Sequence, residues 1–112
     1  MYIFHKESFY GKIEYKRYFN TKDQNRINKY TTQLNFRINE GSGKAIYLIG
    51  VNDDGSLYGL SELEIKQNLR ILEKMCKLLN LEIVLIMKCI CKEKNFLICS
   101  LRSINFKDNL LV

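Results

Sequence analysis

The stretch EGSGKAIYLIGVNDDGSLYGL, residues 40–60, carries the densest pattern in the chain. Glycines flank a nearly continuous apolar, β-branched run, KAIYLIGV (44–51), which reads as a central strand covered on both faces. NDDG follows as a turn, with Gly55 suited to a positive φ, and SLYGL reads as a short return strand. The GSGK part does not read as a phosphate-binding loop. A Walker loop places its glycines after a strand and before a helix, whereas here they follow a helix and precede a strand.

Working outward, KIEYKRYF (12–19) alternates, with Ile13, Tyr15 and Arg17 on one side and Glu14, Lys16 and Tyr18 on the other. Asp23 can cap the next element, in which Ile27, Tyr30, Thr31, Leu34 and Ile38 recur at helical spacing across residues 24–39. Its other face carries Arg26, Lys29 and Arg37, and Gly41 stands where a helix stop belongs. Beyond the turn, Ser61 and Glu64 form a capping box. Ile65, Leu69, Leu72, Met75 or Cys76, and Leu79 make the apolar stripe of a helix over 62–79, and Asn80 is its stop. LEIVLIMKCIC and NFLICSLRSINF are two strands around KEKN. The order β-α-β-β-α-β-β predicts an α/β (α+β) fold with a mixed sheet and two helices. It is expected as one domain over residues 1–112, with an N-terminal extension (1–11) and a C-terminal tail (106–112).

Eighteen Lys and Arg against twelve Asp and Glu give a formal charge of +6, which favours an anionic partner. Lys12, Lys16, Arg17, Arg26, Lys29, Arg37 and Lys44 crowd the first half, interleaved with Tyr10, Tyr15, Tyr18 and Tyr30. Cations neutralise phosphates and aromatic rings stack on bases, so RNA is the expected partner. Lys16, Arg17, Arg26, Lys29, Arg37 and Lys44 are the expected contacts, with a structural Arg37–Glu40 pair as the other reading of the helix end. No apolar run reaches the ~18 residues of a membrane span, and no signal peptide is visible, so a cytoplasmic protein without a membrane partner is expected. Cys76, Cys89, Cys91 and Cys99 lack the C-x2-C spacing of a zinc site, and the three strand cysteines, Cys89, Cys91 and Cys99, read as buried free thiols. Neither a metal nor a cofactor is expected. Glu7, Glu14, Asp53 and Asp54 would meet if the first strand pairs beside the central one, and carboxylates so grouped can hold Mg²⁺ or Mn²⁺ for phosphodiester cleavage. The plainer reading is a strong one, with Glu14 as an exposed strand residue and Asp53 and Asp54 as ordinary turn formers.

IEYK (13–16), QLNFRINEGSGKAIYLIGVNDDGSLYGL (33–60) and LRILEKM (69–75) resemble the N-terminal domain of the GTP-binding elongation-factor-like proteins, a family of translational GTPases. Arg37, Glu40, Gly41, Gly43, Ala45, Tyr47, Ile49, Gly50, Val51, Asp53 and Gly55 fall on that family's R-x-x-E-G-x-G and A-x-Y-x-I-G-V-x-D-x-G patterns. The pattern is also similar to the AlbA-type domain of Schlafen proteins. In nuclease members of that family three acids cluster, and the resemblance carries two of them onto Glu14 and Asp53. The third belongs five residues before Glu14, where Phe9 stands, with Glu7 two residues earlier, so the triad is expected to be incomplete. The chain has no G-x4-G-K-S/T motif and ends about where a GTPase domain would open, so GTP hydrolysis is not expected of it.

Together these readings imply a non-catalytic binder of the ribosome (rRNA and ribosomal proteins) or of tRNA that acts by occupying a functional site, of the translation-regulating or hibernation type. The alternatives are a Schlafen-like metal-dependent endoribonuclease using Glu14 and Asp53, and an interaction module for a translational GTPase.

Overall fold

A computed structural model describes residues 2–20 and 22–104. The elements are β1 (Ile13–Lys16), α1 (Gln24–Glu40), β2 (Lys44–Ile49), α2 (Glu62–Leu79), β3 (Leu81–Cys91) and β4 (Lys94–Ser103). The sheet order is β1-β2-β4-β3; β1 runs parallel to β2, and the other two pairings are antiparallel. The fold is therefore α+β with a mixed sheet and two helices.

The helix limits follow from their caps. The Asp23 side chain accepts from the Asn25 N–H at the start of α1. Ser61 and Glu64 close a reciprocal capping box on α2, and Asn80 ends it in the left-handed conformation. Gly41 ends α1 at φ −96°, so its positive-φ freedom is not used there. What excludes a side chain is close approach, because an added Cβ would lie 1.9 Å from the Lys44 carbonyl oxygen and 2.7 Å from Lys12 Cβ. Lys92 and Glu93, both at positive φ, make the two-residue turn that joins β3 to β4, as the twist of an antiparallel pair favours.

The return strand expected at SLYGL is reduced to two isolated bridges, Val51 with Leu57 and Tyr2 with Ser56. Two adjacent amides, Tyr58 and Gly59, both donate to the Gly50 carbonyl, and Leu60 N–H donates to Asn95 O. The chain is thus drawn across toward β4 before a ladder can form. β1 is likewise short, and the Gly50 N–H seals its end by donating to Lys16 O.

Strand alternation divides the interior in two. Ala45, Tyr47 and Ile49 of β2 and Leu97, Cys99 and Leu101 of β4 share the main core with Leu34 and Ile38 of α1 and Leu72 and Met75 of α2. Tyr15, Leu48, Val51, Leu57 and Phe96 form a second, smaller cluster on the other face, partly closed by Phe4 from the N-terminal segment. Cys76 and Cys99 are buried, and burial pushes both thiols up to about 12, which keeps them protonated. Cys89 and Cys91 differ from the expectation: they are only half-buried, and they pack against the second cluster, across the sheet from Cys99. The expected tail, 106–112, lies outside the described residues.

Candidate nucleic-acid interface

The end of β1, the first turn of α1 and the NDDG turn enclose a cleft of about 590 Å³. Its cations are Lys16, Arg17 and Arg26; its rings are Tyr15, Tyr18 and Tyr30; Asn20, Asn52, Asp53 and Asp54 complete the wall. The parallel pairing of β1 with β2 brings these together, because Lys16 sits opposite Ile49, three residues before NDDG begins at Asn52 on the same sheet edge.

Several of these groups are held in place. Lys16 Nζ lies 4.9 Å from the Tyr30 ring centroid and donates to Gln33 Oε1 at 3.0 Å. The Tyr30 hydroxyl accepts from the Asn20 N–H at 2.9 Å. The Arg17 guanidinium lies 5.7 Å from the centroid of Tyr58, whose ring is 5.5 Å from that of Tyr18 with a tilt of 34°. Asp54 accepts from both the amide and the hydroxyl of Ser56, bonds that hold its carboxyl below the usual range. Lys29 lines an adjoining groove that shares Lys16 and Tyr30 with the cleft.

Two expected contacts are placed elsewhere. Lys44 is exposed at the opposite end of β2, five residues from Ile49 and so about 16 Å along the strand from the cleft. Arg37 is a correction. It is only 4% exposed, and its Nε donates to Glu14 Oε1 at 2.8 Å. Its remaining nitrogens donate to the carbonyls of Gly11 and Ser8, each at 2.9 Å. A guanidinium so enclosed has no face left for a phosphate. Nor does it pair with Glu40, which instead accepts from the Gly11 N–H.

The acidic residues are drawn together, but around Arg37. Glu14 is not an exposed strand residue but is buried on the helix-covered face, where Arg37 meets it. Glu7 returns to the same place: its carboxylate accepts from the Tyr15 N–H and lies 3.7 Å from Arg37 Nη2, while its own N–H donates to Asp53 O at 2.7 Å. Burial pushes the Glu7 carboxyl up to about 7; the charges of Glu14 and Asp53 add to this, and the Tyr15 amide and Arg37 oppose it. Arg37 thus stands where a cation shared by Glu7 and Glu14 would sit. Among the described residues no group of three or more His, Cys, Asp or Glu is arranged to hold a metal ion.

Two features escaped the sequence reading. Tyr58 joins Tyr18 and Arg17, although only its nearness to NDDG hinted at this. Asn68, 2% exposed on the inner stripe of α2, accepts from the Phe19 N–H at 2.6 Å and donates to Glu64 O at 2.7 Å, which fixes the chain as it leaves β1 for the cleft. Its signal was a polar residue three positions after Ile65 on an apolar face.

No helix of the described residues is long and apolar enough to cross a membrane. No protein-family model matches the chain, and no solved structure matches it. Over 76 residues, 68% of its length, the chain is 38% identical to GTP-binding protein 2 of human and of mouse. It is 42% identical over 74 residues, 65% of its length, to protein R625 of Acanthamoeba polyphaga mimivirus. The chain spans 13% of GTP-binding protein 2 and 40% of the viral protein, so the similarity is to one segment of each.

Proposed function

We propose that this chain is a non-catalytic RNA-binding factor that acts by occupying a functional site on the ribosome, through the cleft between β1, α1 and the NDDG turn. The observation that carries the reading is the convergence there of Lys16, Arg17 and Arg26 with Tyr18 and Tyr30. Cationic groups around the exposed ring of Tyr18 suit a polyanion with stackable bases, while Tyr30 is buried and holds Lys16 in place. The resemblance of residues 33–60 to translational GTPases, together with the similarity to a segment of a GTP-binding protein, supports a setting in translation. Lys29 extends the cationic track along α1.

That similarity also favours a second reading, in which the domain docks on a GTPase supplied by another chain. Binding that survives nuclease digestion would support it. Cleavage by Glu14 and Asp53 is the least favoured reading, since the Glu14 carboxylate is already engaged by Arg37.

Co-sedimentation of the tagged protein with ribosomes on sucrose gradients tests the proposal. The expected result is migration with ribosomes or a subunit at low salt and release as salt rises, as phosphate contacts require. Protein that stays at the top of the gradient under all conditions contradicts it.

A further inference from the structure

Building on the RNA reading, we infer that the cleft selects an unpaired nucleotide, stacking its base on Tyr18, and discriminates against duplex RNA. Arg17, Tyr58 and Tyr18 form a ladder of flat groups, with Arg17 over Tyr58 at 5.7 Å and Tyr58 beside Tyr18 at 5.5 Å. Arg17 and Tyr18, the two ends of the ladder, both line the cleft with Tyr58 behind them, and Tyr18 presents there a ring that is 38% exposed. A base already stacked in a duplex offers its face to no such ring, whereas a splayed base does.

The size and charge of the cleft agree. At about 590 Å³ it falls within the range that encloses a drug-sized ligand, which is one or two nucleotides and not a double helix. Its two walls differ in sign. Lys16 and Arg26 stand on the β1–α1 side, and Asp53 and Asp54 on the turn. Phosphates are drawn to the first wall and repelled from the second, so the backbone is steered along β1–α1 and the base is left beside the rings. The Arg17–Tyr58 contact orients the ladder before RNA arrives and lowers the ordering cost of binding.

The test is fluorescence anisotropy with a labelled single-stranded RNA, and with the same strand annealed to its complement, at one salt concentration. The expected result is binding of the single strand at least tenfold tighter than the duplex. Tyr18→Leu, which keeps apolar bulk but removes the stacking face, should weaken single-strand binding by about 5- to 100-fold and leave duplex affinity unchanged. Tyr58→Leu should act in the same direction by a smaller factor, and thermal melting should show both variants folded. Equal affinity for the two forms, or a Tyr18→Leu effect within twofold, overturns the inference while the RNA reading stands. Failure of the wild-type protein to bind either form overturns both.

Discussion

Arg37→Met keeps the side-chain stem that crosses the core and deletes the guanidinium. Glu14, 6% exposed, is then a buried carboxylate without its cation, and the carbonyls of Gly11 and Ser8 lose their donors. Removing one partner of a buried pair costs about 3–5 kcal/mol, because the other charge stays desolvated. The two carbonyls are only part-buried and regain water, so they add little. Against the roughly 5–15 kcal/mol that holds such a domain together, the loss is large. At about 4 °C or more per kcal/mol, the midpoint of thermal unfolding should drop by at least about 12 °C. Urea unfolding followed by far-UV circular dichroism gives the free energy directly. Glu14→Gln added to Arg37→Met should recover part of the loss, since it removes the stranded charge; in the wild-type background the same change should destabilise. A cost below about 1 kcal/mol for Arg37→Met, or no recovery in the double variant, would refute the buried-pair reasoning. So would a loss of RNA binding with stability intact, which is what a surface phosphate contact would produce.

Glu7 makes stability depend on pH in the opposite sense to an ordinary salt-bridged acid. Its folded pKa lies near 7, above the ordinary 4.5, so between those values the folded state binds more protons than the unfolded state and stability falls as pH rises. After allowance for solvent screening the change is about 1–2 kcal/mol, and Glu7→Gln should flatten it in urea unfolding series between those pH values. Asn68→Leu strands the buried Phe19 amide and should cost about 1–3 kcal/mol by the same assay. Ser61→Ala opens the capping box of α2 and should cost about 1 kcal/mol. Gly55→Ala should be worse than a cap loss. The residue sits at φ +92°, and a Cβ would meet Phe4 O at 2.0 Å, so the N-terminal segment must lift; faster proteolysis within residues 2–11 would report it.

Much of the fold was legible because the local signals agreed with one another. The Ser61–Glu64 box, the apolar stripe behind it and Asn80 set both ends of α2. The alternation of KIEYKRYF correctly separated Tyr15 from Glu14. The same pattern held the clue to Arg37, which is three residues after Leu34 and seven after Tyr30, on the buried stripe of α1 rather than its outer face. With Glu14 facing that helix, a buried carboxylate required a buried cation, and Arg37 was the residue in reach. The cleft was legible in part. Charge points to Lys16, Arg17 and Arg26, but it points equally to Lys44, because sequence distance hides which end of β2 a residue occupies. Glu7 could be grouped with Glu14 and Asp53 from the sequence, but its pairing with Arg37 could not be read there. It reaches Arg37 only because Ile3 and Phe4 hydrogen-bond to Gly55 O and fold the N-terminus back over the turn.

The most direct test of the central claim is the salt dependence of binding to single-stranded RNA, measured for the wild type and for a variant with Lys16, Arg17 and Arg26 all changed to Gln. Each phosphate contact contributes about 0.7 to the slope of log affinity against log salt, so the triple variant should lose about 2 from that slope as well as affinity at low salt. An unchanged slope and affinity in a folded triple variant would show that the cleft is not where RNA binds.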